Sequence, residues 1–296
     1  QTAIGTVTAT DADGDDLTFT VSGSELSITS AGVLTFATAP DYETQTSYSA
    51  TVTVSDGTNT ATQDITVNVT DANDPPTFTS NATFSAAENQ TAIGTVTASD
   101  PEGDTLSFTI SGSDITIVSS SGLLEFASAP DFETQTSYSV TVTVSDGTNT
   151  VTQDITVNVT NVNDVAPEFT SNATFSAEEN QTAIGTVTAT DADGDTVVFS
   201  ISGSELEVSA TGVITFAAAP DYETKSSYTA TVTASDGTNT TTQDITVNVT
   251  NVNDNSPVIT SDATFTAAEN QTAIGTVTAT DADGDTVVFS ISGSEL

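Results

Sequence analysis

Clusters of carboxylates recur along the chain, each within one five-residue stretch. Residues 11–15 read DADGD, residues 100–104 read DPEGD, and DADGD returns at 191–195 and at 281–285. Carboxylates spaced this closely can bind cations, act as the acid and base of a hydrolytic reaction, or simply lie in an exposed turn, for which Asp is well suited. The composition of the whole chain and the recurrence of other motifs distinguish these possibilities.

The chain is strongly acidic. It has 41 Asp and Glu residues against one Lys or Arg and no His, so its formal net charge is −40 over 296 residues, and the one cation is Lys225. Two carboxylates about 4 Å apart repel each other by about 1 kcal/mol in water and by about 4 kcal/mol at an effective dielectric constant of 20. Because basic side chains cannot offset this repulsion, we expect dissolved cations to be partners.

The same composition excludes other partners. Nucleic acid and anionic membrane surfaces are disfavoured, because proteins bind both through basic patches. The sequence has no run of 18 apolar residues, so no membrane insertion is expected in this segment. It also lacks Cys, which excludes disulfides and thiolate metal sites.

Internal repetition sets the domain organisation. The string QTAIGTVTA begins at residues 1, 90, 181 and 271, with a period of 89 to 91 residues that suits a whole domain. The chain opens and closes inside a unit, since Gln1 matches Gln90 and Leu296 matches Leu26, so we expect a segment of a longer array with neighbouring repeats as partners. The predicted repeats, called first to fourth below, are 1–74, which lacks its first strand, 75–164, 165–254, and 255–296, which is the N-terminal part of a further repeat.

The hydrophobic pattern within a repeat is that of short β-strands. Apolar residues alternate with polar ones over 106–110, 138–144 and 155–159, which is the period of half-buried strands, and no stretch has helical periodicity. The intervening Thr residues are expected to face water. About 90 residues in seven such strands predict an all-β fold, an antiparallel immunoglobulin-like β-sandwich with Greek-key connections and a buried aromatic residue near the start of the sixth strand.

The linkers between repeats are short and stiff. Residues 70–76 read TDANDPP, residues 160–167 read TNVNDVAP and residues 250–257 read TNVNDNSP. The Pro residues prevent the preceding strand from continuing, and none of these linkers resembles a flexible Gly/Ser tether. We therefore expect the tandem sandwiches to form a linear rod.

The second repeat contains five acidic motifs whose order along the chain resembles that of a known family. They are AENQ, DPEGD, PDFE, SDG and NVNDVAP, with the acidic or amide residues Glu88, Asp100, Glu102, Asp131, Glu133, Asp146, Asn163 and Asp164. This order resembles the calcium-binding elements of cadherin domains in their bacterial, cadherin-like form, and the resemblance extends over the whole chain. An EF-hand is rejected, because DADGD lacks the required spacing and the closing Glu.

The resemblance implies Ca²⁺ as the cofactor, with up to about three ions at each junction between repeats, held by carboxylate and amide oxygens. At the first junction the implied ligands are Asp41, Glu43, Asp71, Asn73, Asp74, Asp100, Glu102 and Asp146. At the second they are Glu88, Asp131, Glu133, Asn161, Asn163, Asp164, Asp191, Asp193 and Asp236. At the third they are Glu179, Asp221, Glu223, Asn251, Asn253, Asp254, Asp281 and Asp283. The corresponding residues of the first repeat, Asp11, Asp13 and Asp56, are also predicted as metal ligands.

This chain departs from the family pattern at a few positions. Asn161 and Asn251 stand where the first linker has Asp71, which removes one charge but keeps an oxygen donor. Glu102 replaces the second Asp of DADGD with a longer side chain. No Trp is present, so the strand exchange through a Trp near the N-terminus that vertebrate cadherins use cannot transfer to this chain.

The expected function is a calcium-rigidified extracellular or cell-surface array. It would serve as the stalk of a large bacterial surface adhesin or as the body of an extracellular filament, with like chains or a cell-surface ligand as further partners. We expect no enzyme activity, because nothing marks a cleft or an acid of raised pKa of the kind that glycoside hydrolysis requires. The alternating Thr residues keep one alternative open, a ligand-binding module for glycans, a cell surface or ice.

Overall fold

A computed structural model of the chain describes residues 2–293; Gln1 and residues 294–296, at the ends of the first and fourth predicted repeats, lie outside the described residues. The described residues form strands, turns and loops. None of them belongs to a helix that is long and apolar enough to cross a membrane. They divide into two compact units with the boundary between Thr160 and Asn161, and each unit is described by itself below.

The first repeat folds into two three-stranded sheets. One has the strand order β1-β4-β3 and the other the order β2-β5-β6. The strands are β1 (Ala3–Thr6), β2 (Thr18–Val21), β3 (Leu26–Ile28), β4 (Val33–Phe36), β5 (Ser47–Ser55) and β6 (Thr60–Asn68).

The second repeat, in the same unit, is complete. Its strands are β7 (Thr77–Phe78), β8 (Thr83–Ala87), β9 (Ala92–Thr95), β10 (Ala98–Ser99), β11 (Ser107–Ile110), β12 (Ile115–Ile117), β13 (Leu123–Phe126), β14 (Ser137–Ser145) and β15 (Thr150–Thr160). They form a four-stranded sheet of order β11-β14-β15-β8, a three-stranded sheet of order β12-β13-β9, and the pair β10-β7.

The second unit contains the third repeat and part of the fourth. The strands of the third repeat are β16 (Glu168–Phe169), β17 (Thr174–Glu178), β18 (Ala183–Thr186), β19 (Ala189–Thr190), β20 (Val198–Ile201), β21 (Leu206–Val208), β22 (Val213–Phe216), β23 (Ser227–Ser235) and β24 (Thr240–Thr250). Its sheets have the orders β17-β24-β23-β20, β18-β22-β21 and β16-β19, as in the second repeat. The fourth repeat contributes β25 (Val258–Ile259) and β26 (Ala279–Thr280), which pair with each other.

The predicted seven-stranded sandwich is confirmed, with two of the strands interrupted. The first strand is divided into β7 and β8, and the second into β9 and β10. The expectation of a wholly antiparallel sandwich is wrong for one pair, because β8 runs parallel to β15. The cause is a change of partner within the first strand: β7 pairs with β10, and after a break the chain continues as β8 along the edge of the last strand.

The core lies between the two sheets and follows the predicted alternation. Val142 and Val144 of β14 and Val157 of β15 are fully buried, and Leu124 of the facing sheet packs against them. Full burial of a side chain of this size stabilises the fold by about 1.5–3 kcal/mol. The expected aromatic residue is Tyr138, whose ring packs edge-on against Phe126 with the ring centroids 5.1 Å apart.

The outer face of the same sheet carries small polar residues. Ser139 and Asn158 are exposed, and Thr141 is half-buried between neighbouring strands. The hydroxyl of Thr141 donates to the carboxylate of Asp154 at 2.7 Å. The alternation therefore sends apolar side chains inward and hydroxyls outward, as the sequence predicts.

The fourth repeat leaves its apolar residues uncovered. Ile259, Phe265, Phe289 and Ile291 are exposed, whereas Phe84 and Phe108 of the second repeat, the counterparts of Phe265 and Phe289, pack against that repeat's core. The strands that cover the second-repeat residues have no counterpart among the described residues of the fourth. The predicted repeat boundaries at residues 74, 164 and 254 stay predictions.

Replacing Gly122 with Ala should destabilise the second repeat. Gly122 has a φ of +71°, and a Cβ there would lie 2.1 Å from the carbonyl oxygen of Val96, whose N–H donates to Gly122. The left-handed conformation alone costs an Ala about 1–2 kcal/mol, and the clash with backbone adds to this. We expect the free energy of unfolding of the second repeat to fall by at least about 2 kcal/mol. Hydrogen exchange of residues 137–160 measures this change.

The matched control is Gly112→Ala. Gly112 has a φ of +87°, but its added Cβ would find its nearest atom, in the Val140 side chain, 4.0 Å away. This variant should lose only the stability that the left-handed backbone conformation costs an Ala. Equal losses of stability for the two variants would show that the contact between Gly122 and the Val96 carbonyl does not matter.

Candidate metal centres

The antiparallel order of the strands sorts the acidic motifs of a repeat to its two ends. In the second repeat the DPEGD loop joins β10 to β11 and the SDGTN turn joins β14 to β15, which places both at one end. The AENQ turn after β8 and the PDFE loop before β14 lie at the other end, where the N–H of Phe132 donates to Glu88 at 2.7 Å. Each complete repeat therefore has a pair of acidic loops or turns at each of its two ends.

The DPEGD loop is shaped by its first carboxylate. Oδ1 of Asp100 accepts the N–H groups of Glu102 at 3.2 Å and Asp104 at 3.1 Å. Gly103 allows the turn because its φ of +78° lies in the left-handed region. Oδ2 of Asp100 is buried and has no hydrogen-bond donor among the described residues. One oxygen of this carboxylate thus orders the loop while the other remains available to a cation.

The SDGTN turn divides its aspartate in the same way. Oδ1 of Asp236 accepts the N–H groups of Thr238 at 2.6 Å and Asn239 at 2.5 Å, while Oδ2 is buried without a donor among the described residues. Partial removal from water acts to raise the pKa of Asp236, but the hydrogen bonds from Asn239 and Thr238 outweigh it, so the pKa lies below its usual value. The group is therefore held in its charged, cation-binding form.

A buried glutamate links the other end of the third repeat to its linker. Glu179 is only 3% exposed; its Oε2 accepts the N–H of Tyr222 at 2.8 Å and its Oε1 accepts that of Val252 at 2.7 Å. The next residue, Asn180, adopts a φ of +64°, which Asn tolerates better than most residues, and its Nδ2 contacts Oδ2 of Asp254 at 2.5 Å. This glutamate fixes the linker against the PDYE loop.

The linker also docks on the DADGD loop that follows it. Oδ2 of Asp283 accepts the N–H groups of Asp254 at 3.1 Å and Asn255 at 2.8 Å, and Asn251 donates from Nδ2 to the Asp283 carbonyl at 2.8 Å. Elsewhere in the second unit, residues 161–165 make the same three contacts with Asp193. The pattern is thus a property of the motif.

The first unit has related contacts. The N–H of Asp74 donates to Oε2 of Glu102 at 3.2 Å, and Asn73 donates from Nδ2 to Oδ2 of Asp146 at 2.8 Å. Asn149, which follows the turn at Asp146, donates to the Asn73 carbonyl at 3.3 Å. The longer Glu102 therefore performs the docking that Asp283 performs in the second unit.

These contacts bring carboxylates together. In each group at least three ligand oxygens lie within 4.8 Å of one another. The first unit has the group Glu43, Asp74 and Glu102; the second unit has Glu179, Glu223, Asp254 and Asp283, together with the loop groups Asp191, Asp193, Asp195 and Asp281, Asp283, Asp285.

The pKa values of Glu223 and Glu43 are raised where these carboxylates lie close together. Partial removal from water raises the pKa of Glu223, and the charges of Glu179 and Asp283 raise it further, against a hydrogen bond with its own backbone. For Glu43 the backbone hydrogen bond acts to lower the pKa, but burial and the charge of Glu102 prevail and the pKa is raised. Both shifts have the sign expected where like charges are held together without a counter-ion.

The donor set fits a hard divalent cation. Five carboxylate oxygens in the loops are buried and have no hydrogen-bond donor among the described residues: Asp100 Oδ2, Glu102 Oε1, Asp191 Oδ2, Asp193 Oδ1 and Asp236 Oδ2. An ionised carboxylate oxygen in such a position is unfavourable unless a cation or a donor satisfies it. Groups made only of carboxylate, amide and carbonyl oxygens are the ligands that Ca²⁺ and Mg²⁺ prefer.

Some predicted ligands lie outside the converging groups. Asp41 and Asp221 instead accept hydrogen bonds from the backbone and hydroxyl of Thr44 and Thr224 in their own turns. Among the described residues, Asp11, Asp13 and Asp56 of the first repeat form no such group. The predicted second-junction set draws on both units and stays a prediction.

The structure adds two residues that the motif comparison missed, Asp195 and Asp285. Each is the third carboxylate of a DADGD loop, and the amide of Asn253 contacts Oδ2 of Asp285. The signal was present in the sequence, because all four loops have a third carboxylate, but the family pattern is Asp-x-Asp and stops one carboxylate short.

Comparison with known proteins gives similarity over most of the chain. Residues 73–160 match the family described as a bacterial Ig domain, and residues 173–250 match the cadherin domain. Chitinase A of Pseudoalteromonas piscicida is 38% identical over 156 residues, which are 51% of this chain and 19% of that protein. The protocadherin-like wing polarity protein stan of Drosophila melanogaster is 33% identical over 256 residues, which are 73% of this chain and 7% of that protein.

A solved structure of protocadherin gamma B2 extracellular cadherin domains 3–6 aligns with a TM-score of 0.66 at 23% identity, covering 95% of this chain and 78% of that one. This likeness shows the fold. The chain spans 19% and 7% of the lengths of the two curated relatives described above.

Replacing Asp100 with Asn should change stability in opposite directions with and without divalent cations. In chelator the variant should melt higher than the parent chain, because it removes a charge repelled by about 1 kcal/mol per close neighbour and adds a donor. In saturating calcium it should melt lower, because a charged ligand is lost. Thermal unfolding in the two buffers measures both.

Asp154→Asn is the control for this experiment. It removes the same charge from a strand residue that hydrogen-bonds Thr141 and belongs to none of the converging carboxylate groups of the described residues. A shift of the same sign in both buffers for Asp100→Asn, as expected for Asp154→Asn, would show that Asp100 is not a cation ligand.

Proposed function

Because the chain is a tandem array of cadherin-like repeats, we propose that it is a calcium-stiffened extracellular array in which ions at the junctions fix the linkers between neighbouring repeats. The observation that carries the proposal is the set of buried carboxylate oxygens without donors, which includes Asp100 Oδ2 and Glu102 Oε1 at the first junction. The one basic side chain, Lys225, is paired with Glu205 at 2.6 Å.

Calcium suits these groups better than magnesium. Ca²⁺ accepts six to eight oxygen ligands in irregular geometry, whereas Mg²⁺ demands a regular octahedron and keeps several waters. The carboxylates at the third junction come from a turn, a loop, a linker and a second loop, and a ligand set drawn from four separate elements suits the ion that tolerates irregular geometry. The proposed ligands are those that the cadherin resemblance implies, extended by Asp195 and Asp285.

The residues of the chain divide two tasks between them. Backbone N–H groups and amides orient the carboxylates, as at Asp100 and Asp236, and leave one oxygen of each for the ion. Bound calcium supplies the positive charge that offsets the repulsion between the loops and the linker. Without it, Glu43, Asp74 and Glu102 of the first junction repel one another, and the first linker loosens.

The wider role that we propose is structural. The array acts as a spacer outside the cell, either the stalk of a large bacterial surface adhesin or the body of an extracellular filament, and it has no catalytic part. Two observations support a bacterial setting: the match to a bacterial Ig domain over residues 73–160 and the similarity to a Pseudoalteromonas chitinase. Neighbouring repeats, like chains or a cell-surface ligand are the proposed partners.

Calcium should stabilise and stiffen the chain. Extracellular modules bind calcium with dissociation constants of about 10⁻⁴ to 10⁻³ M, so about 10 mM calcium adds roughly 1.4–2.7 kcal/mol for each independent site. Thermal unfolding should shift upward, and small-angle scattering should give a larger maximum dimension in calcium than in chelator. Magnesium at the same concentration serves as the control and should have much less effect. Identical scattering curves in calcium and chelator would remove the proposal.

Calcium should also protect the one tryptic site. Trypsin can cut only after Lys225, giving residues 1–225 and 226–296. Nζ of Lys225 lies 2.6 and 2.7 Å from the two carboxylate oxygens of Glu205. The backbone N–H of Lys225 donates to the Asp221 carbonyl at 2.9 Å. Cleavage requires the loop to open, and ions at Glu223 oppose this opening, so cleavage should be slower in calcium.

Trypsin itself depends on calcium for stability, so its activity on a peptide substrate is measured in both buffers and used for normalisation. Equal normalised cleavage rates in calcium and chelator would show that the loop around Lys225 is not part of a metal site.

A further inference from the structure

The residue after the linker aspartate distinguishes the third linker from the others. This residue is Pro75 in the first linker, Val165 in the second and Asn255 in the third. The side chains of Pro and Val have no hydrogen-bonding group, whereas the Asn amide has two N–H donors and one oxygen acceptor. Only the third of the three linkers therefore has a side chain with hydrogen-bonding groups at this position.

The Asn255 amide lies among the carboxylates of the third junction. Its Nδ2 is 2.7 Å from Oδ1 of Asp254, 3.0 Å from Oδ1 of Asp283 and 3.2 Å from Oε2 of Glu223. Its backbone N–H donates to the second oxygen of Asp283 at 2.8 Å. Three carboxylates from the PDYE loop, the linker and the DADGD loop thus surround one NH₂ group, whose two hydrogens they share.

The first junction has no equivalent. Its group consists of Glu43, Asp74 and Glu102, and the backbone N–H of Asp74 donates to Glu102 at 3.2 Å. In the described part of the chain no side chain donates to these three carboxylates. The two junctions therefore differ in what opposes their repulsion when no cation is bound.

We propose that Asn255 makes the third junction less dependent on calcium than the first, by placing its amide donor where the carboxylates converge. The inference rests on the proposed calcium function. Without an ion, the amide N–H groups face the carboxylates and hold the linker to both loops. When an ion binds, a half-turn about the last side-chain bond exchanges Nδ2 for Oδ1, and a carbonyl oxygen of this kind is a calcium ligand.

The test is hydrogen exchange of the full chain, followed by mass spectrometry, in chelator and in saturating calcium. Asn255→Val introduces the residue that the second linker already has at this position. In chelator it should speed exchange of residues 251–255 about tenfold, as expected for the loss of a hydrogen bond to a charged group. In calcium it should have a much smaller effect.

Asn255→Asp distinguishes hydrogen-bond donation from packing as the role of Asn255. It keeps the size of the side chain and one oxygen, but replaces the NH₂ donor with an oxygen that carries the same negative charge as the neighbouring carboxylates. It should exchange faster than Asn255→Val in chelator and return to the parent rate in calcium. Asn158→Val, on an exposed strand position, is the matched control and should leave exchange at residues 251–255 unchanged.

The outcomes separate this inference from the calcium function itself. Peptides covering residues 70–76 in the same samples report the first junction, where calcium should slow exchange in every variant. If calcium slows exchange there and Asn255→Val exchanges like the parent chain in chelator, the inference is overturned and the calcium function stands. Equal acceleration by Asn255→Val in both buffers would show a packing role and would also overturn it. If calcium slows exchange at neither junction of the parent chain, the proposed function fails.

Discussion

Repulsion among carboxylates that basic side chains do not offset is the constraint on which the rest of this chain depends. There are 41 acidic residues and one basic residue, and Lys225 is already bound to both oxygens of Glu205. Within the protein, backbone and amide N–H groups supply partial positive charge, and in the proposed function cations from solution supply the rest. The loop aspartates show the division clearly, because one oxygen of Asp100 or Asp236 is bonded to backbone N–H groups and the other has no donor.

The β-sandwich tolerates this charge because it keeps the acidic residues away from the core. The interior consists of alternating apolar residues such as Val142 and Ile155, and the outer face of the large sheet carries mainly hydroxyls. Acidic residues collect in the turns at the strand ends, where neighbouring repeats follow one another along the chain. The buried Glu88 and Glu179 are exceptions, and the two oxygens of Glu179 are bonded to the backbone of a loop and of a linker. Stability of the sandwich and order of the linkers thus have different physical origins.

Repeats of nearly identical sequence need not be identical at their ends. Lys225 occupies the position of Gln135 in the second repeat; Gln135 donates to the nearby Ser137 carbonyl, whereas Lys225 reaches the more distant Glu205. Asn255 likewise stands where another linker has Val165. Because such changes lie on turns and linkers, they leave the core unaltered and alter only the local balance between donors and carboxylates. Repeats with the same core can therefore make different contacts at their turns and linkers.

The sequence by itself determined the repeat period, the all-β class, the inward and outward faces of the strands and most of the acidic residues that converge. These properties depend on local pattern: alternation with a period of two places Val142 inward and Thr141 outward, and motif order identifies Glu102 or Asp254. Sequence could not show that the first strand changes partner and that β8 runs parallel to β15, because pairing depends on residues more than 70 positions away. Nor could it separate Asp41, which is engaged with its own turn, from Glu43, which joins Asp74 and Glu102. Only the tertiary structure decided which carboxylates converge, because those that meet come from turns, loops and linkers distant in the chain. It also showed which oxygen of Asp100 or Asp236 lacks a donor, although the donors to the other oxygen come from the same turn.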